Sequence, residues 1–71
     1  MNRVTPLNLL INQKPYQLPA GATLADAVAI AGVRAPFAAA VNLQFVPRNQ
    51  YAQHQLHEQD RVELISPLTG G

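Results

Sequence analysis

Residues 21–32 read GATLADAVAIAG, a stretch that predicts a short helix with a defined beginning and end. Thr23 and Asp26 have the spacing of a capping box, in which the two residues satisfy backbone N–H groups of the first turn. Apolar side chains follow at the helical spacings i, i+3, i+4 and i+7: Leu24, Ala27, Val28 and Ala31. Gly32 stands where a left-handed residue commonly ends a helix. We therefore predict a helix over residues 24–31.

The segment before this helix has the pattern of a β-hairpin. Residues 4–11 are predicted to form a strand, because from residue 7 to residue 11 every second side chain is Leu or Ile. Asn12 tolerates the positive φ that a tight turn requires. A second short strand is expected at residues 16–18, and the prolines on both sides of it favour a sheet edge, where a missing N–H is harmless.

The segment after the helix predicts three further strands. Residues 37–41 are small and apolar, and their pattern alone does not separate strand from helix, because alanine is a poor strand former. A second apolar run covers residues 45–47, and the polar residues 48–55 suit a short helical turn. After a turn at residues 57–60, residues 61–66 alternate as a last strand.

These elements predict an α+β fold in which one helix covers one face of a mixed four- to five-stranded sheet, since both elements must bury an apolar side. Pairing of the first strand with the last would give a β-grasp arrangement. We expect residues 1–67 to form this β-grasp domain and residues 68–71 to form a flexible tail beyond Pro67.

Composition excludes several classes of protein. With 48% hydrophobic residues and a net charge of +1, the chain does not have the composition of a disordered protein. Five Lys and Arg against four Asp and Glu give no basic footprint for nucleic acid. No apolar run is long enough for a membrane span or a secretory signal. We expect a cytoplasmic protein with no nucleic-acid partner and no membrane partner.

The pair Gly70-Gly71 is the most informative feature for function. With no Cβ on either residue, a terminal carboxylate can enter a narrow channel and approach a nucleotide phosphate. Other candidate sites are weaker. His54 and His57 could share one side of a helix, but no convincing third metal ligand accompanies them, so we predict no metal site. Nothing indicates a catalytic nucleophile or a phosphate-binding loop, and we predict no catalytic residues and no bound cofactor.

Several segments together resemble the ThiS-type sulfur carriers of thiamin biosynthesis, a ubiquitin-like β-grasp family. The resemblance covers nearly the whole chain, and these segments carry it: Leu10-Ile11-Asn12, Gly21-Ala22-Thr23-Leu24, Ala40-Val41-Asn42, Val46-Pro47-Arg48, Tyr51, Asp60-Arg61-Val62-Glu63-Leu64 and Gly70-Gly71. Two positions depart from the family pattern. Gln59-Asp60 stands where members commonly have Gly-Asp, and Tyr51 stands where they often have Trp.

The resemblance implies a carried substrate and not an enzyme. In this family a ThiF-like adenylating enzyme uses ATP to activate the terminal glycine. A sulfur donor such as a cysteine desulfurase then supplies sulfur for a thiocarboxylate, and a ThiG-like thiazole synthase consumes it. On this chain Gly71 would be the modified residue and Gly70 the spacer. Because the chain has no cysteine, sulfur could not be carried on a side-chain thiol.

Two other functions stay open at this point: a MoaD-type sulfur carrier for molybdopterin synthesis, and a ubiquitin-like binding or protein-tagging module. Any of these proteins must be held by partners, which favours some exposed apolar surface. If the side chains of Val62 and Leu64 point to the helix, Ile65 is exposed and Leu10 is its neighbour on the same face. We predict a docking surface of four residues: Leu10, Arg48, Ile65 and Leu68.

Overall fold

A computed structural model describes residues 5–33 and 37–66 of the 71-residue chain. The order of elements is strand, strand, helix, strand, strand, 3₁₀ turn and strand, as the sequence predicts. The elements are β1 (Leu7–Ile11), β2 (Lys14–Leu18), α1 (Leu24–Ala31), β3 (Ala38–Val41), β4 (Gln44–Val46), the 3₁₀ turn (Arg48–Gln50) and β5 (Arg61–Ile65).

The five strands form one mixed sheet in the order β2-β1-β5-β3-β4. The last strand lies at the centre, parallel to β1 and antiparallel to β3. The hairpins β1–β2 and β3–β4 flank this central pair. The predicted central pairing of the first and last strands is confirmed, and residues 37–41, which the pattern left ambiguous, contain strand β3.

Helix α1 begins and ends where the sequence predicts. The Asp26 N–H donates to Thr23 Oγ1 at 3.4 Å, and the Thr23 N–H donates to Asp26 Oδ2 at 2.9 Å, which completes the capping box. Gly32 has φ of 71° and ends the helix in the left-handed region. The position at which α1 ends therefore follows from the local sequence.

The core lies between α1 and one face of the sheet. Twelve hydrophobic side chains are buried there: Leu9, Ile11, Leu18, Ala22, Leu24, Ala27, Ala39, Val41, Val46, Leu56, Val62 and Leu64. Alternate residues of each strand point away from α1, and we call that side of the sheet the outer face. Among them, Leu56 lies outside the helix and strands that form most of the core, between the 3₁₀ turn and β5.

The strand β2 is longer than predicted. It begins at Lys14 and includes Pro15, which lies opposite Leu10 of β1. The strand tolerates this proline because β2 is an edge strand, so one side of its backbone needs no hydrogen-bonding partner. The predicted edge position is confirmed, and the predicted start at residue 16 is wrong.

Candidate functional site

The tail follows directly from the central strand. Strand β5 ends at Ile65, and Ser66 is the last residue that the structure describes. Leu68, Gly70 and Gly71 lie outside the described residues, so the predictions about them remain predictions. Strand β5 lies between β1 and β3 in the sheet, and at its end Ile65 is paired with Ala38 of β3.

An exposed apolar surface lies on the outer face beside the end of β5. Ile65 is 61% exposed and Phe45 is 69% exposed. Ala38 pairs with Ile65 in one row, and in the adjacent row Ala40 lies between Phe45 of β4 and Glu63 of β5. We call Ile65, Phe45, Ala38 and Ala40 the tail-side patch. Val62 and Leu64 are buried, which confirms the prediction that they face the helix and that Ile65 is exposed.

Leu10 is on the same face as Ile65 but does not lie beside it. The register places Leu10 opposite Arg61 in β5 and opposite Pro15 in β2. Ile65 is four residues further along β5, which corresponds to about 13 Å. The expectation that Leu10 would be the direct neighbour of Ile65 is therefore wrong, because the parallel pairing of β1 with β5 covers only the beginning of β5.

Leu10 instead lines a shallow groove between β1 and β2. The groove has a volume of about 500 Å³ and is lined by Asn8, Leu9, Leu10, Pro15, Tyr16, Gln17, Gln59 and Arg61. Because Arg61 marks the beginning of β5, this groove lies at the opposite end of β5 from the tail.

Arg48 lies at the tail end of the sheet. Val46 is opposite Ala39, which is itself opposite Leu64, and the chain continues from Val46 through Pro47 to Arg48. Arg48 is exposed and opens the 3₁₀ turn. The register thus brings Arg48 and Ile65 to the same end of the sheet, although these two predicted docking residues are 17 positions apart in sequence.

A buried carboxylate organises the loop that leads into β5. Asp60 is 8% exposed and accepts hydrogen bonds from Asn42 Nδ2 at 2.9 Å and from the His57 backbone N–H at 2.7 Å. The His57 ring nitrogen is 3.9 Å from the same carboxylate. Gln59 has φ of 67°, which explains why a glycine would suit this position. These hydrogen bonds join the residues of the loop to one another and order the start of β5.

The described residues contain no group of three His, Asp or Glu side chains placed to hold a metal ion. Within the same part of the chain, no helix is long and apolar enough to cross a membrane. Asp26, which could be mistaken for a catalytic carboxylate, is occupied as a helix cap.

The sequence pattern does not identify two exposed apolar residues. Phe45 belongs to the apolar run at residues 45–47, but its neighbour Val46 faces the core, so Phe45 faces outward. Leu43 is 85% exposed and has φ of 71° at the second position of the β3–β4 turn. The two-residue spacing between the adjoining strands was the available signal for this turn.

Comparison with known proteins gives a consistent result. The family model described as the ThiS family matches residues 9–71. The sulfur carrier protein ThiS of Escherichia coli (strain K12) is 35% identical over 66 residues, covering 92% of this chain and 100% of that protein. The crystal structure of the thiamine biosynthesis protein ThiS from Geobacter metallireducens superposes with a TM-score of 0.75 at 19% identity, covering 92% of this chain and all of that one. This structural likeness confirms the predicted fold.

Proposed function

This chain belongs to the ThiS family and is a sulfur carrier protein for thiamin biosynthesis, and we propose that it carries the sulfur as a thiocarboxylate on Gly71. The observation that carries this proposal is the extent of the family match, which runs through the central strand β5 to Gly71 itself. The protein is the carried substrate in this scheme, and the catalytic groups belong to its partners.

The proposed chemistry has two steps. First, an oxygen of the Gly71 carboxylate attacks the α-phosphorus of ATP, pyrophosphate leaves, and an acyl-adenylate forms. Next, the sulfur of a persulfide or of hydrosulfide attacks the acyl carbon, and AMP leaves with the former carboxylate oxygen. With hydrosulfide the products are the thiocarboxylate, AMP and a proton; with a persulfide, a reductant must also cleave the S–S bond. Two glycines suit these steps, because neither has a Cβ to obstruct approach to the carbonyl carbon.

We assign the first step to a ThiF-like adenylating enzyme that binds the ATP, and the sulfur supply to a donor such as a cysteine desulfurase. A ThiG-like thiazole synthase is the proposed acceptor, and the cytoplasm is the proposed location. The lack of cysteine supports a main-chain carrier group, since this chain offers no thiol of its own to hold the sulfur.

The test of this proposal is the intact mass of the protein after reaction with the adenylating enzyme, ATP and sulfide. Replacement of one oxygen by sulfur adds about 16 Da, and a variant lacking Gly71 should gain nothing. A family member of known activity serves as the positive control for the enzyme preparation. No mass gain on this protein, under conditions in which the control carrier is modified, would refute the proposal.

We further propose that the tail-side patch is the surface that binds the adenylating enzyme. Ile65 is a large apolar side chain exposed at the end of β5, and Phe45 is exposed two strands away on the same face. Large exposed apolar surfaces commonly mark protein contacts. Arg48 at the same end of the sheet would add a charged contact. Leu10 of β1 lies opposite Arg61, at the other end of β5, and so does not belong to this patch. Leu68 remains a proposed contact on the tail.

The substitution Ile65→Asp tests the patch. We expect it to lower kcat/KM for adenylation by about tenfold or more, because it places a charge in a contact that would otherwise exclude water. The matched control is Ile30→Asp, since Ile30 is 51% exposed but lies on α1, on the other side of the sheet. Both variants should stay folded by circular dichroism. Adenylation of Ile65→Asp at the wild-type rate would rule out the patch.

A further inference from the structure

The side chain of Asn12 continues the sheet where the backbone of β1 stops. The Leu10 N–H donates to the Asp60 carbonyl at 3.0 Å, and the Asn12 N–H donates to the Val62 carbonyl at 2.8 Å. In a parallel ladder the next bond would join the Leu64 N–H to the carbonyl of residue 12. Asn12 has φ of 51° and turns the backbone away, so that bond is not available from the main chain.

The Asn12 carboxamide forms hydrogen bonds with both backbone groups of Leu64. The Leu64 N–H donates to Asn12 Oδ1 at 2.8 Å, and Asn12 Nδ2 donates to the Leu64 carbonyl at 3.2 Å. One side chain thus replaces a missing strand residue, on the side of β5 that faces β1. Leu64 is two residues before the last described residue, so this contact lies close to the end of β5.

A second asparagine makes an analogous contact at the other end of β5. Asn42 also has φ of 51° and also opens a hairpin turn. Its Oδ1 accepts from the Arg61 N–H at 3.0 Å, and its Nδ2 donates to the buried Asp60 at 2.9 Å. In each hairpin, therefore, the Oδ1 of the first turn residue accepts a backbone N–H of the central strand: Asn42 at the beginning of β5 and Asn12 near its end.

We propose that Asn12 is a positioning residue for sulfur loading: by pairing with Leu64 it sets where the tail leaves the sheet, and so directs Gly71 into the adenylating enzyme. This inference rests on the proposed function of Gly71. Without the carboxamide, both backbone groups of Leu64 lose their partner, and among the strand pairings of the described residues the end of β5 keeps that of Ala38 with Ile65. The end of β5 is then less ordered, and the enzyme must select the productive direction of the tail from a larger set of conformations.

The test compares Asn12→Gly with Asn42→Gly. Glycine adopts the positive φ of either turn readily, so each substitution removes the carboxamide and preserves the turn. The Asn42 variant is a demanding control, since it also removes a partner of the buried Asp60 and should lower stability at least as much. Both are assayed well below their unfolding temperatures, with pyrophosphate release by the adenylating enzyme as the measure of kcat/KM.

For Asn12→Gly we expect a loss of about tenfold in kcat/KM, and faster hydrogen exchange at the Leu64 amide by a similar factor, from the loss of two hydrogen bonds. Asn42→Gly should keep wild-type kcat/KM and leave exchange at Leu64 unchanged after correction for stability. Equal rates for the two variants, or unchanged exchange at Leu64 in Asn12→Gly, would overturn the inference. If wild-type protein is itself not adenylated, the proposed function fails instead. Exchange at Leu64 still measures how strongly Asn12 protects the end of β5.

Discussion

The exposed turn residue Leu43 should make the protein less stable than a glycine would. Leu43 has φ of 71°, and its side chain is 85% exposed. A side chain with a Cβ costs about 1–2 kcal/mol in the left-handed region, because the Cβ crowds the following carbonyl oxygen. At the second position of a two-residue hairpin turn, glycine avoids that cost. We therefore predict that Leu43→Gly stabilises the fold.

The size of the gain follows from three contributions. Relief of the backbone strain contributes about 1.5 kcal/mol. The greater flexibility of glycine in the unfolded chain opposes it by about 0.7 kcal/mol. Loss of the little surface that Leu43 buries opposes it by about 0.3 kcal/mol. The net gain in unfolding free energy is about 0.5 kcal/mol, which raises Tm by about 2–4 °C in a domain of this size.

Thermal and urea unfolding followed by circular dichroism would measure this difference. The matched control is Leu43→Ala, which removes the same exposed side chain and keeps the Cβ at positive φ. We expect the alanine variant to be slightly less stable than wild type, by about 0.3 kcal/mol. Both variants lack the leucine side chain and differ only in the Cβ, so the strain argument fails if Leu43→Gly is no more stable than Leu43→Ala.

Substitutions at three further positions test the fold. Gln59→Gly should raise the unfolding free energy by about 0.5–1 kcal/mol in urea titrations, since φ of 67° favours glycine; a loss of stability would contradict this reading. Thr23→Ala should cost about 1 kcal/mol by removing the cap, and Thr23→Ser should restore most of it; equal stability of the two variants would show that the cap contributes nothing. Leu24→Ala should cost about 3 kcal/mol with an unchanged urea m-value, because Leu24 is fully buried, and a cost below about 1 kcal/mol would mean that the site collapses around the cavity.

Local chemistry explains why parts of the fold could be predicted so closely. The capping box of Thr23 and Asp26 and the C-terminal Gly32 act on their immediate neighbours, so the bounds of α1 can be predicted from the local sequence. The fold adds distant contacts at the N-terminal end of the helix, since the Leu24 and Ala25 N–H groups donate to the His54 and Tyr51 carbonyls. The alternation in β1 and β5 similarly determined which side chains are buried, since a strand has a period of two. In β3 the alanines carried no such signal, and only pairing with β5 and β4 determined the strand.

The docking surface was predicted only in part, for a physical reason. Alternation within β5 determined that Ile65 faces outward, but the neighbours of Ile65 depend on the register between strands. That register places Ala38 beside it and Leu10 opposite Arg61. Phe45 belongs to the patch because β4 pairs with β3. The two-residue spacing indicates the turn between them, but the alanines of residues 37–41 gave no signal that they form the partner strand.

The sequence by itself determined the class of fold, the helix with its caps, the direction in which each side chain of β5 points, and the glycine pair that indicates a carrier. The helix, the side-chain directions and the glycine pair depend on residues close together in the chain, and the class of fold follows from the order of such elements. Only the tertiary structure decided which residues surround the start of the tail, including the pairing of Asn12 with Leu64 across 52 positions of sequence. Parallel pairing of the first and last strands creates that contact, and no local rule specifies the register of two strands so far apart.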